Sequence, residues 1–135
     1  MDWTLHALVS LVISVPLFLE GRPDEALPLI FVGILMDVDH VVDYFILTGK
    51  VTWDIARLKE LKFKNFCCCP LHSWELTVLY TASFFPLLHS VPVLVPVIYG
   101  AAIGWGVHML FDMVTNEMSF SDLSLIVRWR RGWSR

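Results

Sequence analysis

Nine ionisable side chains stand in or at the edge of otherwise apolar stretches: His6, Asp37, Asp39, His40, Asp43, His72, Glu75, His108 and Asp112. Removing a charge from water is expensive, so an ionisable residue in such a segment is a functional candidate by default. Their types narrow the chemistry. Imidazole and carboxylate form the ligand set of zinc and its neighbours, and an excess of carboxylates provides for more than one ion. No Lys or Arg lies within these stretches to pair with the acids. A divalent cation is what relieves their mutual repulsion.

Spacing then aims them, because residues three or four apart on a helix share a face. His108 and Asp112 share one, with Gly100 and Gly104 on the same stripe, read as packing residues that let a neighbouring helix approach closely. His72 and Glu75 share another. Asp37 and His40 align with Gly33 and Tyr44, while Asp39 and Asp43 form the adjacent stripe. His6 aligns with Ser10 and Ser14, read as helix-contact residues. The expected metal ligands are therefore His6, Asp37, Asp39, His40, His72, Glu75, His108 and Asp112. Asp39 and Asp43 are the expected proton acceptors, Asp43 alternatively orienting a ligand histidine. A lone histidine in an apolar helix more often satisfies a hydrogen bond than binds a metal. His89, at a bend on the opposite side, fits that description and receives no role. Four separate segments delivering His and carboxylate to one level do not.

The elements that must position these groups follow from composition. The chain has 135 residues, enough for one domain. Hydrophobic residues make up 56% and charged residues 17%, against about 25% charged in an ordinary soluble domain. Mean hydropathy is +0.64. Disorder, a collagen repeat and a secreted disulfide scaffold are excluded. The expected fold is all-α: a four-helix integral membrane bundle with helices over about 3–19, 26–47, 72–88 and 93–116. The first is expected to be retained rather than cleaved, since the start lacks a basic residue and a small-residue cleavage site. Pro86, Pro92 and Pro96 place the bend between the last two helices near 85–92. Amphipathic interfacial helices are expected over about 52–64 and 120–133, where Trp and aliphatic residues alternate with basic ones. Cys67, Cys68 and Cys69 abut the membrane; adjacent cysteines do not readily bridge, which leaves acylation, metal binding or inert thiols.

The four segments carry motifs as well. An early His6, then Asp37-Val38-Asp39-His40, then Leu71-His72-Ser73, then Gly104-Trp105-Gly106-Val107-His108-Met109-Leu110-Phe111-Asp112-Met113-Val114-Thr115 resembles the membrane-bound metal-dependent hydrolase family. That family's pattern is an N-terminal His, D-x-D-H, T-H-S and G-x-x-x-H-x-x-x-D-x-x-T, in this order. The resemblance spans most of the chain and implies metal ligation by His6, Asp37, Asp39, His40, His72, His108 and Asp112. By the family's distant similarity to zinc-dependent phospholipase C and zinc nucleases, it also implies a phosphoester substrate. The chain departs where many members read H-R-G-x-T-H-S: Cys67 replaces the His and Cys68 the Arg, which puts phosphate binding by that Arg in doubt. Glu75 is the expected replacement ligand.

The function expected is metal-dependent hydrolysis of a phosphoester or lipid-like substrate at the cytoplasmic face. Zinc is the leading cofactor, with two or three ions provided for and manganese or magnesium compatible. The alternative is a non-catalytic metal-binding membrane module, a sensor or ion-handling protein. Membrane lipid is the expected partner, and no nucleic acid is expected. Nine of the ten basic residues fall in the polar loop (Lys50, Arg57, Lys59, Lys62, Lys64) and the tail (Arg128, Arg130, Arg131, Arg135); Arg22 stands opposite. The positive-inside rule makes loop, tail and both termini cytoplasmic. Reporter fusions after Gly49 and after Arg135 are expected to give cytoplasmic signals together; opposite signals would remove the four-crossing topology.

Overall fold

Apolar residues dominate from Leu5 to Leu19, and in the computed structural model they lie within α1, Trp3–Leu19. The structure describes residues 3–54, 56–58, 69–116 and 118–133. Gly21, at φ +72°, turns the chain. Pro23 then opens α2 (Pro23–Leu35), where a missing N–H is tolerated because the first amides of a helix lack partners anyway. The single helix expected over about 26–47 is broken in two. A 3-10 turn spans Met36–Val38, and α3 (Asp39–Thr48) follows, closed by Gly49 in the left-handed conformation. Next come α4 (Trp74–Ser90), a 3-10 turn at Pro92–Leu94 and α5 (Val95–Thr115). The reversal between α4 and α5, at 91–94, overlaps only the end of the bend expected near 85–92, because α4 continues through Pro86 to Ser90. Among the described residues the chain is all-helical, without strands.

Helix α2 against α5 is the most extensive contact; α1 packs on α2, and α4 on α5. Two glycines of α5 set that distance. A Cβ at Gly104 would stand 2.4 Å from the Leu29 carbonyl oxygen, and one at Gly100 would stand 2.1 Å from that of Glu25. No side chain fits at either position, so the two backbones touch, as the small-residue stripe leads one to expect. Ser10 of α1 packs in the same manner on Gly33, where a Cβ would meet its Oγ at 2.1 Å.

The tail departs from the amphipathic helix expected over 120–133. A 3-10 turn covers Phe120–Leu123, and only Leu125–Arg130 forms a helix, α6. Ser119 begins the turn with a capping box, and its hydroxyl and amide hold the Asp122 carboxyl below the usual carboxylate range. Leu123 is buried in a cluster with Met36, Trp105, Met109 and Met118, and the Phe120 ring stacks on Trp74. The tail is thus anchored on the bundle, while Ile126 and Trp129 stay exposed. Of the interfacial helix expected over 52–64, residues 52–54 are not helical and a helical turn lies at 56–58 with Leu58 buried; residues 55 and 59–64 lie outside the described residues, as do Cys67 and Cys68.

Polarity is inverted. His6, Ser10, Asp37, Asp39, Asp43, His72, His108 and Asp112 are buried, whereas Leu8, Val12, Phe31, Leu79, Leu110 and Val114 are exposed. A water-soluble domain seldom exposes so many large apolar side chains. Among the described residues one helical stretch, Pro92–Thr115, is long and apolar enough to cross a membrane by length and composition. The 17-residue α1 and α4 fall short of the roughly 20 residues a crossing needs. Helix lengths alone therefore do not establish four crossings.

The helix contact yields a contrast between two glycines. A Cβ at Gly106 meets nothing within 4 Å. Gly104→Ala is expected to destabilise the protein by about 1–3 kcal/mol, the usual range for overpacking, and Gly106→Ala to leave stability unchanged or slightly raised. Denaturant unfolding in detergent compares them; equal midpoints would mean that α2 and α5 are not held at backbone contact.

Candidate metal centre

Because α2 and α5 touch, a backbone carbonyl of one helix can reach a side chain of the other. His108 Nδ1 donates to the Gly33 carbonyl oxygen at 2.7 Å. This fixes the ring and leaves Nε2 as its unprotonated nitrogen in the neutral form. His72, just ahead of α4, is fixed in the same way: its Nδ1 lies 3.0 Å from Asp39 Oδ2. The two Nε2 atoms then face each other at 2.8 Å. With both rings neutral and these protons on Nδ1, two lone pairs would face one another, an arrangement that a shared cation, a proton or a metal ion, resolves.

The surroundings repeat the pattern. His6 Nδ1 lies 3.2 Å from His108 Nε2 and 3.4 Å from Asp37 Oδ2. His6 Nε2 lies 3.3 Å from Asp112 Oδ1, and His72 Nε2 lies 3.1 Å from Asp112 Oδ2. Asp37 Oδ1 is nearly equidistant from three Nε2 atoms, those of His40 at 3.7 Å, His72 at 3.8 Å and His108 at 3.7 Å. Both oxygens of this 1% exposed residue lack a hydrogen-bond partner. Ligands held about 2.0–2.1 Å from one ion stand about 2.9–3.4 Å apart at right-angled to tetrahedral geometry. The closer spacings fall near that range, and the donor types suit zinc. Three groups of donors lie within 4.8 Å of one another: His6, His108 and Asp112; Asp37, His72 and His108; and Asp39, His40, Cys69 and His72. The residues present fit a bound divalent metal.

The structure thus brings together seven of the eight expected ligands: His6, Asp37, Asp39, His40, His72, His108 and Asp112. Glu75 is the exception and lies among the residues at the start of α6. Its carboxylate accepts from the Ser124 hydroxyl, from Leu125 N at 3.0 Å and from Ile126 N at 3.3 Å, and so caps α6. Three-residue spacing from His72 gave a shared face only if both lay on one helix, but α4 begins at Trp74, after His72. Asp43 is also redirected: it accepts from Cys69 N at 3.1 Å and from Cys69 Sγ at 2.9 Å. Asp39 Oδ2 accepts from Leu71 N at 3.0 Å. In these contacts Asp39 and Asp43 hold the 69–72 turn. His89 lies near the far end of α4, about 22 Å along it by helical rise.

Two residues that sequence reasoning passed over complete the site. Arg128, 1% exposed, donates to the carbonyl oxygens of Cys69 at 3.0 Å and His72 at 2.5 Å. Trp105 Nε1 donates to that of Leu71 at 2.9 Å. Nothing local in the sequence distinguishes Arg128 from the surface arginines beside it. Cys69 did leave a signal, since C-x-x-H up to His72 is a spacing that can place two ligands at one turn. Ser73, completing the His-Ser motif, caps α4 by accepting from Leu76 N at 3.2 Å.

The cleft lined by His6, Ser10, His108 and Phe111 is too narrow for a water molecule. Nearby, an apolar cavity of about 160 Å³ is lined by Val32, Leu35, Met36, Leu71, Tyr80 and Trp105. Met36 and Leu71 are the chain neighbours of Asp37 and His72.

No family model, curated protein or solved structure matches the chain.

The capping role of Glu75 separates from a ligand role by one substitution. Glu75→Gln keeps an oxygen to accept from Ser124 and the amides, so bound metal per chain is expected to stay unchanged. Glu75→Ala is expected to lower stability by about 1–2 kcal/mol, the range for a lost helix cap. Loss of metal in Glu75→Gln would restore it as a ligand.

Proposed function

We propose that the chain is a membrane-embedded, metal-dependent hydrolase acting on a phosphoester of a lipid-like substrate from the cytoplasmic leaflet. The observation that carries this reading is Asp37: a buried carboxylate with no hydrogen-bond donor, set among imidazole nitrogens of His40, His72 and His108, the last two with Nδ1 turned to other partners. A hydrogen-bonded structural cluster would have given it a partner. The motif order resembling the membrane-bound metal-dependent hydrolase family supports the reaction class. The inverted polarity supports immersion in lipid.

His6, Asp37, His72, His108 and Asp112 would hold the metal, zinc first by donor type. When bound, such ions polarise a phosphoryl oxygen and bring the pKa of a water to near neutrality. The chain itself supplies orientation. Asp39 and the Gly33 carbonyl keep Nε2 of His72 and His108 directed into the centre. Arg128, Trp105 and the carboxylates of Asp39 and Asp43 hold the turn that carries His72, so that the donors are preorganised. The apolar cavity beside Met36 and Leu71 suits the hydrocarbon part of a lipid substrate.

The narrow His6 cleft favours a second reading, a metal-binding membrane module without turnover. Turnover separates the two. Wild-type protein, purified in detergent, is expected to carry zinc or manganese and to hydrolyse phospholipid or bis-nitrophenyl phosphate. His108→Ala is expected to release metal, abolish hydrolysis and cost about 3–5 kcal/mol, as when a buried charge arrangement loses one member. His89→Ala is expected to change none of these. Bound metal without turnover would select the second reading; unchanged metal and stability in His108→Ala would defeat both.

A further inference from the structure

Cys69 is not a surface thiol. It is 1% exposed, and its Sγ lies 3.3 Å from His40 Nδ1 and 2.9 Å from Asp43 Oδ2. Its backbone sits at φ +30°, in the left-handed half of conformational space that residues with a Cβ avoid. A cysteine stands where glycine would be free of that penalty. His40 is placed between two sets of groups. Its Nε2 faces Asp37 at 3.7 Å, while its Nδ1 faces the sulfur. Asp39 has an oxygen to give: Oδ2 is taken by Leu71 N and His72, but the buried Oδ1 has no hydrogen-bond partner. Donor atoms of Asp39, His40, Cys69 and His72 lie within 4.8 Å of one another.

We propose that Asp39, His40 and the thiolate of Cys69 hold a second divalent ion of the zinc type, beside the His/Asp centre and separate from it. Charge supports two positions. Asp37 and Asp112 bring two negative charges to the first ion, with neutral imidazoles completing its shell. Asp39 and a Cys69 thiolate bring two to the second. Each divalent ion is thereby neutralised where stray charge is most costly. As the sulfur–metal bond forms, the S–H bond breaks and its proton passes to Asp43 Oδ2, the nearest acceptor. Sulfur also makes the two positions differ in preference. A thiolate selects zinc or cobalt over magnesium and manganese, whereas the His/Asp centre admits the harder ions too.

The inference rests on the metal reading of the neighbouring centre but is tested apart from it. Full-length protein in detergent is stripped with chelator and titrated with cobalt(II), reading bound cobalt by mass analysis and the thiolate-to-cobalt charge-transfer band in the near ultraviolet. Wild type is expected to develop the band. Cys69→Ser is expected to lose it together with one bound ion, while keeping the cobalt held by the His/Asp centre. A double variant, Cys67→Ser with Cys68→Ser, is expected to keep the band, which assigns it to Cys69. Cobalt bound without a band, or a band that persists in Cys69→Ser, overturns the thiolate site and leaves the His/Asp centre standing. No cobalt bound by the wild type overturns both.

Discussion

A carboxylate that is buried and lacks any hydrogen-bond donor is the constraint around which the rest of the molecule is arranged. Asp37 sits among the nitrogens of His6, His40, His72 and His108 at 3.4–3.8 Å, too far for hydrogen bonds. Leaving such a group unpaired costs several kcal/mol, a large share of the roughly 5–15 kcal/mol by which a domain of this size is stable. Protonating an imidazole offsets part of this, since His72 and His108 turn Nδ1 to Asp39 and the Gly33 carbonyl and leave Nε2 facing the centre. A divalent metal would satisfy the carboxylates and imidazoles together. Folding and metal binding are, on this account, one equilibrium.

Holding four imidazoles that close requires fixed backbones. On the helical side, α2 and α5 achieve it by direct contact at Gly100 and Gly104, which brings the Gly33 carbonyl to His108. On the other side His72 lies in a turn, where no helical ladder fixes it. Its neighbours supply what the ladder would: Asp43 and Asp39 accept from the amides of Cys69 and Leu71, while Arg128 and Trp105 donate to the carbonyls of Cys69, Leu71 and His72. Buried backbone groups need partners, and here the partners are also what aims the ligand. Capping of α6 by Glu75 fixes the short helix that delivers Arg128, so the tail is part of the site's support.

This arrangement places the His and carboxylate centre inside and leaves many aliphatic and aromatic side chains facing out. In water the exposed Leu, Val and Phe would drive association; in lipid they are matched to their surroundings, and the polar centre becomes the part that needs protein around it. The apolar cavity next to Met36 and Leu71 continues the outer character inward to the flank of the metal ligands.

How much of this was legible depended on whether helical spacing applied. His108 with Asp112, and Gly100 with Gly104, lie on one uninterrupted helix, so period alone placed ligands and contact residues on a shared face. Residue type and the absence of internal Lys or Arg pointed to metal, and the prolines located the reversal before α5. Where the helix breaks, period fails. The 3-10 turn at Met36–Val38 and the start of α4 after His72 let Asp39 and Asp43 grip a turn, and they send Glu75 to a helix cap. Those outcomes depend on which backbone amides happen to be unpaired nearby. Arg128 was decided by tertiary structure in the fullest sense, since an arginine in a basic tail looks like a surface residue until the tail folds back; Cys69 left only its C-x-x-H spacing to His72 and needed the turn to close. Residue type and helical period act over a few residues and are written locally, whereas the partner of a buried charge is chosen among all the segments that packing brings within hydrogen-bond reach.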